Sequence, residues 1–205
     1  MKTLSLAALT LTLLTLTFAE KCSQVGFAQP ALEIATSRPI TETELESLSN
    51  LWKTEPPVLD PILKQSFAVH LAGYGNVYFL SFFDQDLLDQ PLTITHWLVD
   101  SGQVRQELPF SEQLIPKTYT PLSLDAVVFT ELNFDGLGDI YTISSYITGI
   151  GSTGAIPFPV ITLYEQQEEG SFVILEEESL ELTARGVSTA AEVERILREE
   201  LLFLP

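Results

Sequence analysis

The sequence contains one cysteine and two histidines in 205 residues, and only 10 lysines and arginines against 28 aspartates and glutamates. With Cys22 as its single cysteine, the chain cannot form an internal disulfide. The formal net charge of −18 argues against nucleic acid as a partner and against docking on anionic lipid, because such a surface repels phosphate groups. A basic protein is the class of partner that this charge would attract.

The residues of common catalytic motifs are also missing. No serine lies in a Gly-x-Ser-x-Gly turn. His70 and His96 both lie in apolar stretches typical of strands, where a hydrogen-bonded structural histidine is a simpler interpretation than a catalytic base. The segment 149–154 matches Gly-x-Gly-x-x-Gly, but Pro159 follows where a nucleotide site needs a helix, so we interpret it as a connecting loop. A pair of carboxylates for glycoside hydrolysis remains an alternative, because the spacing of the acidic residues in the sequence does not single out any two of them.

The first residues have the pattern of an export signal. Lys2 supplies a positive charge, an apolar run extends from Leu4 to Phe18, and Ala19 is a small residue suited to the position before a cut. A second candidate cut follows Ala28. The apolar run is shorter than the roughly 20 residues of a spanning helix, and an uncleaved anchor is the alternative. We therefore expect a secreted or periplasmic protein with no membrane insertion after cleavage.

Short stretches of β-branched and aromatic residues between turn residues predict a mainly β fold. We expect an antiparallel sheet or hairpins like those of a partial β-propeller. Two hairpins are predicted around turns at Gly73–Asn76 and Asp100–Gly102. Residues 20–39 lack periodicity and predict a loose N-terminal segment. No linker of disordered composition follows, so residues 40–205 are predicted to form a single β-rich domain.

Two capping boxes, Thr41–Glu44 and Thr189–Glu192, predict the starts of helices. The first helix is expected near Glu42–Trp52. The second is expected near Ala190–Phe203, with an apolar stripe that packs on the sheet. The glutamates at 176–178 are interpreted as a solvated strand edge.

The stretch Glu131–Asp139 places oxygen-bearing side chains at alternate positions and then a glycine, which is typical of a calcium loop. Calcium takes about six to eight oxygen ligands, and a short loop provides them when every second side chain points inward. Gly136 permits the sharp turn that this requires. The predicted ligands are the side chains of Glu131, Asn133, Asp135 and Asp139 and the backbone carbonyl of Leu137.

The loop differs from an EF-hand in its ligands and in its flanks. Its first position is a glutamate, whose carboxylate reaches one methylene further than that of aspartate. Its twelfth position is Thr142, where an EF-hand has a bidentate glutamate. The flanking residues Ala126–Thr130 and Ile140–Ile143 predict strands rather than helices. A strand–loop–strand calcium site is the better description, and the alternative is an Asn/Asp-Gly-rich hairpin turn that holds no metal.

The series Asn133-Phe134-Asp135-Gly136, followed by Asp139 and flanked by strands, resembles the calcium loops of FG-GAP/VCBS-type β-propeller blades. It is also similar to the loop of small periplasmic proteins related to lysozyme inhibitors. The resemblance covers about Leu124 to Phe172. In the inhibitor families a protruding loop after such strands enters the lysozyme cleft, often with a Ser-Gly-x-x-Tyr motif. That motif is not reproduced at the corresponding position here, where the candidate partner loop contains Gly149, Gly151, Ser152, Thr153 and Gly154.

These patterns predict an exported, calcium-binding, β-rich protein of a non-enzymatic binding type. Two alternatives are kept beside it. The first is a periplasmic inhibitor of a lysozyme-like cell-wall hydrolase, a basic partner whose cleft the loop Thr148–Pro157 would enter. The second is a carbohydrate-active enzyme.

Overall fold

The computed structural model describes residues 35–53, 58–85, 91–149 and 154–201. The predicted export signal, both candidate cuts and the loop residues Gly151, Ser152 and Thr153 lie outside these ranges. The described helices are α1 (Glu42–Leu48), α2 (Glu176–Ala184) and α3 (Ala190–Glu199), with single 3₁₀ turns at Ser49–Leu51 and Leu63–Gln65. The described strands are β1 (Ala35–Pro39), β2 (Val58–Pro61), β3 (Phe67–Leu71), β4 (Gly75–Gln85), β5 (Pro91–Asp100), β6 (Gln103–Glu107), β7 (Thr120–Thr130), β8 (Asp139–Ile147), β9 (Phe158–Gln166) and β10 (Phe172–Ile174).

The strands form two antiparallel sheets, which confirms the predicted mainly β fold. The first has the order β1-β3-β4-β5-β6, with β2 paired to the far half of β4. The second has the order β10-β9-β8-β7. Both predicted hairpins are present as β3–β4 and β5–β6, and β7–β8 form a third around the loop predicted to bind calcium. The described residues all belong to one compact unit.

The two sheets face each other and bury an aromatic core between them. Phe79 of β4 is fully buried, and its ring meets that of Phe129 from β7 edge-on at a centroid distance of 5.4 Å. Ile140 and Tyr164 of the second sheet belong to the same cluster. Because strand side chains alternate between faces, the next residues along each strand point outward and need a second cover.

Helices provide that cover on both outer faces. Leu48 of α1 and the nearby Trp52 pack on the outward side chains of the first sheet, Leu80 and Phe82. Helix α3 covers the second sheet with a stripe at helical spacing, formed by Val193, Ile196 and Leu197. With covers on both faces, β8 is buried at nearly every position instead of alternating. None of the helices in the described part of the chain is long and apolar enough to cross a bilayer.

Helix α2 contacts the sheet through hydroxyl groups as well as apolar side chains. The Ser179 Oγ accepts a hydrogen bond of 3.0 Å from the backbone N–H of Leu163, and the Thr183 Oγ1 accepts one of 3.0 Å from Ile161. Both donors belong to β9, beyond the three residues that pair with β10. The helix therefore satisfies backbone groups that the short strand β10 does not reach.

Three elements differ from the sequence expectations. The glutamates at 176–178 begin helix α2 instead of forming a solvated strand edge, and acidic residues in a first turn are favoured by the helix dipole. Ala35–Pro39, at the end of the segment expected to be loose, pairs with β3 as an edge strand. The C-terminal helix ends at Glu199, earlier than expected, while its start at the Thr189 cap is as predicted.

Candidate metal centre

The loop of residues 131–139 closes the β7–β8 hairpin, whose last pair is Thr130 with Asp139. It lies against the first sheet, at the turn between β3 and β4. The Gly138 N–H donates to the Ala72 carbonyl at 3.1 Å, and a Cβ on Gly138 would lie 3.1 Å from the Leu71 side chain. A glycine at this position therefore lets the loop approach the backbone of the other sheet closely.

The first three predicted side-chain ligands turn inward onto the backbone of their own loop. The Glu131 carboxylate accepts a hydrogen bond from the Gly136 N–H, and Gly136 has the positive φ of +81° expected of it. The Asn133 Oδ1 accepts from the Asp135 N–H at 3.2 Å. The Asp135 Oδ1 accepts from the Leu137 N–H at 2.8 Å. These side-chain-to-backbone bonds curl the segment into a series of short turns.

The two apolar residues between these side chains have opposite environments. Leu132 is fully buried in the core beneath α2 and α3, and it anchors the loop to the second sheet. Phe134 is 57% exposed and has a φ of +65°, a left-handed conformation that few residues other than glycine adopt. The hydrogen bonds of its neighbours Asn133 and Asp135 hold the backbone in this turn.

Asp139 is placed differently from the other predicted ligands. It is fully buried, and its oxygens accept hydrogen bonds from the backbone N–H groups of Leu132 at 2.6 Å and Gln166 at 2.7 Å. The carboxylate thus ties the start of the loop to strand β9. Each oxygen keeps further lone-pair capacity beyond these two bonds.

The protonation of Asp139 reflects this burial and the charges around it. Burial raises its pKa to about 6, although the N–H donors of Gln166 and Leu132 act in the opposite direction. The nearby carboxylates of Asp135 and Glu165 raise the pKa further. The loop is therefore a place where negative charges crowd together, which is the condition that a bound cation relieves.

Glu165 is a carboxylate at this site that sequence reasoning did not find. It comes from β9, outside the loop, and its Oε1 accepts a hydrogen bond of 2.6 Å from the Asn133 Nδ2. The same amide nitrogen donates to the Asp135 Oδ2 at 2.9 Å. One amide group therefore bridges two carboxylates from different elements. The only signal in the sequence is an acidic residue at the end of an apolar strand, which local spacing cannot connect to the loop.

The donor set suits a hard cation, because it consists of carboxylate, amide and carbonyl oxygens. The salt bridges formed among the described residues involve other carboxylates than those of the loop and Glu165. In the described ranges, no group of three or more His, Cys, Asp or Glu side chains is placed so that it could hold a metal ion. The oxygens are instead engaged by loop N–H groups and by the Asn133 amide. The described loop thus carries oxygen atoms of the kind that calcium prefers, and in this structure they are engaged in hydrogen bonds instead of being gathered around one point.

The second sequence-predicted site, the candidate partner loop, is described only at its ends. The Gly149 N–H donates to the Gly154 carbonyl at 2.9 Å, which closes the base of the loop. Gly149 has a φ of +67°.

Comparisons of the chain with family models, with curated proteins and with solved structures gave no match.

Proposed function

We propose that the protein is an exported binding protein of a non-enzymatic type, stabilised by one calcium ion at the loop of residues 131–139. The observation that supports this proposal is that the side chains of Glu131, Asn133 and Asp135 all bond to N–H groups of one short loop, next to Glu165 from a neighbouring strand. The leader pattern of residues 1–19 supports export.

The chemistry of the loop favours calcium over magnesium. The predicted ligands Glu131, Asn133, Asp135 and the Leu137 carbonyl would hold the ion together with Glu165. Asp139, the remaining predicted ligand, is left out of this set because it is buried and its oxygens bond to the N–H groups of Leu132 and Gln166. Calcium accepts a variable number of oxygens in a flexible geometry, whereas magnesium requires a small and strict octahedron. When bound, the ion supplies positive charge between carboxylates that otherwise repel one another. Its effect is structural, since it would join the β7–β8 loop to strand β9.

Calcium titration of the mature protein tests this proposal. We expect Kd values of roughly 0.1–1 mM, as in other exported modules. An ion that binds only the folded state stabilises it by about 2.7 kcal/mol at a hundredfold excess over Kd, so the melting temperature should rise by roughly 5–10 °C. Differential scanning calorimetry with increasing calcium measures this shift, and magnesium at the same ionic strength should give a smaller one.

Three variants make the test specific. Asp135→Ala should abolish most of the calcium shift. Glu165→Gln should reduce it, because it removes one charge but keeps the shape of the side chain. Glu177→Ala is the matched control, since Glu177 is an exposed acid at the start of α2. A calcium shift that is absent in the wild type, or equal in the wild type and Asp135→Ala, would leave the loop as a hairpin turn without metal.

A further inference from the structure

A second candidate site lies at the edge of β5, away from the loop of residues 131–139. The pairs between β5 and β6 run from Trp97 to Asp100, and the His96 carbonyl accepts one more backbone bond, from the Leu108 N–H. Residues 93–96 of β5 border a cavity of about 460 Å³. This volume is within the range of roughly 300–1,000 Å³ that small-molecule sites occupy. The cavity extends from the face of the first sheet beneath Trp52, round the strand edge, into the space between the sheets.

Both tryptophans of the chain line this cavity. The ring of Phe82 lies between them, with centroid distances of 5.2 Å to Trp52 and 4.9 Å to Trp97. Phe82 is fully buried, so it fixes the positions of both indoles. Flat aromatic walls of this kind stack on the apolar faces of sugar rings and attract cations to their π-faces.

Two carboxylates face the same part of the cavity. Asp84 of β4 is paired with Thr93, and Glu107 of β6 is paired with Trp97. Because paired residues share a face and strand residues alternate, Asp84, Thr93, Trp97 and Glu107 all lie on one side of the sheet. Burial raises the pKa of Asp84, and the charge of Glu107 raises it further. The two acids therefore repel each other across the strand between them.

No positive side chain compensates these acids within the described lining. None of the described lining residues is lysine or arginine, and burial lowers the pKa of His96 to about 3, so its ring is neutral at neutral pH. One oxygen of Asp84 is buried without a hydrogen-bond partner in the described part of the chain. The terminal torsion of aspartate is soft, so a small rotation turns either oxygen towards the cavity. The negative charge of the two carboxylates excludes an anionic ligand and favours a cationic group that donates hydrogen bonds.

The rest of the polar lining consists of hydroxyl groups, which can both donate and accept hydrogen bonds. They belong to Thr93, Thr95, Ser111, Thr142, Ser144 and Thr162, and to the lining tyrosines Tyr146 and Tyr164. Two of them already donate to carboxylates, Thr95 to the Glu107 Oε1 at 3.0 Å and Ser111 to Glu176. We propose that this cavity binds a small hydroxylated amine, an amino sugar or amino alcohol, with its ammonium group between Asp84 and Glu107. Its carbon skeleton lies against the indoles, and its hydroxyl groups bond to Thr93 and Thr95, the hydroxyl side chains on the same side of the sheet as the two acids. This site is independent of calcium.

Tryptophan fluorescence tests the proposal directly, because both tryptophans line the cavity. The probes are glucosamine, its neutral analogue glucose, the anion glucuronate and putrescine, which carries ammonium groups but no hydroxyl. We expect glucosamine to change the emission with a Kd of about 1 mM or tighter, and glucose and putrescine to bind about tenfold more weakly. Glucuronate should give no change.

Variants separate a binding role of the acids from a structural one. Asp84→Asn and Glu107→Gln should each weaken glucosamine binding about tenfold and leave glucose binding unchanged, since only the cation loses its partner. Without ligand, the Asp84→Asn protein should melt at the same or a higher temperature, because an uncompensated charge has been removed. Asp100→Asn, an exposed acid outside this cavity, is the matched control.

Three results would overturn the proposal. Equal affinity for glucose and glucosamine would remove the role of the carboxylates. Equal affinity for putrescine and glucosamine would remove the role of the hydroxyl groups. No change in emission with glucosamine up to about 10 mM would show that the cavity is not a site for this class of ligand.

Discussion

At the residue scale, the two histidines are chemically identical side chains that differ in their burial and in their neighbours. His96 is 4% exposed on the inner face of β5, with its Nδ1 3.0 Å from the Ser81 Oγ. Its ring stacks on Phe79 and meets Tyr164 edge-on. His70 is exposed on β3, and its Nδ1 is 3.0 Å from the Asn76 Oδ1. Burial lowers the pKa of His96 to about 3 because its charged form would lose its hydration.

We expect His96 to make the fold sensitive to mild acid. Its pKa in the unfolded chain is about 6.5, above its folded value, so the unfolded state takes up the proton first as the pH falls. Its contribution to stability is complete above about pH 6.5 and is lost progressively towards pH 3. Between pH 7 and pH 5 the loss is about 2 kcal/mol. Asp139, whose pKa is raised to about 6, changes the stability in the opposite direction over this range, so the His96 contribution is measured as the difference between the wild type and a His96 variant in denaturant titrations at the two pH values.

The variants His96→Gln and His70→Gln provide the comparison for this effect. His96→Gln should lose less free energy of unfolding between pH 7 and pH 5 than the wild type, whatever its stability at pH 7. His70→Gln is the surface control, since it replaces an exposed ring. An equal acid response in all three proteins would contradict the assignment.

The burial of the two histidines was partly readable from strand alternation. Val69 and Leu71 flank His70, so alternation places His70 on the opposite face from those apolar neighbours. His96 is in phase with Ile94 and Leu98, which predicts an inward ring. Glu165 had no such signal, because its place beside Asn133 depends on the pairing of β8 with β9. Long-range pairing, rather than local spacing, decides which carboxylates meet.

At the element scale, the sequence correctly predicted the strands and helices whose residue pattern agrees with their tertiary contacts. The hairpins have turn residues between alternating strands, and the Thr41 and Thr189 side chains both accept the hydrogen bonds expected of helix caps. Helix α2 was missed because its contact with β9 uses the hydroxyls of Ser179 and Thr183 besides a few leucines. Such a helix lacks the apolar stripe on which sequence reasoning depends.

The hydroxyl contact of α2 can be measured with a matched pair of serine variants. Ser179→Ala removes the acceptor of the buried Leu163 N–H, and Ser179 itself is fully buried. Ser47→Ala makes the same change in α1, where the side chain is exposed. Both variants gain the same intrinsic helix propensity. We expect Ser179→Ala to be less stable than Ser47→Ala by about 1–3 kcal/mol, measured by urea denaturation. Equal stabilities would mean that the N–H has another partner.

At the scale of the whole molecule, the described fold consists of two facing sheets with helices on their outer faces, and its first strand begins at Ala35. Both candidate cuts of the export signal, after Ala19 and after Ala28, precede this first strand. Either cut would therefore leave every described element intact. The same placement keeps the loop of residues 131–139 and the cavity at β5 within the mature chain.

The first residue of the exported protein distinguishes these cuts. We expect the mature chain to begin at Glu20 or at Gln29, because signal peptidase requires a small residue just before the cleaved bond. Ala19→Arg should prevent cleavage if the first cut is used, and Ala28→Arg should prevent it if the second is used, while the other variant is processed normally. Intact mass spectrometry of protein from the extracytoplasmic fraction measures the outcome. Full-length protein that begins at Met1 and stays in the cytoplasm would contradict export, and it would also remove the access to millimolar calcium on which the proposed calcium site depends.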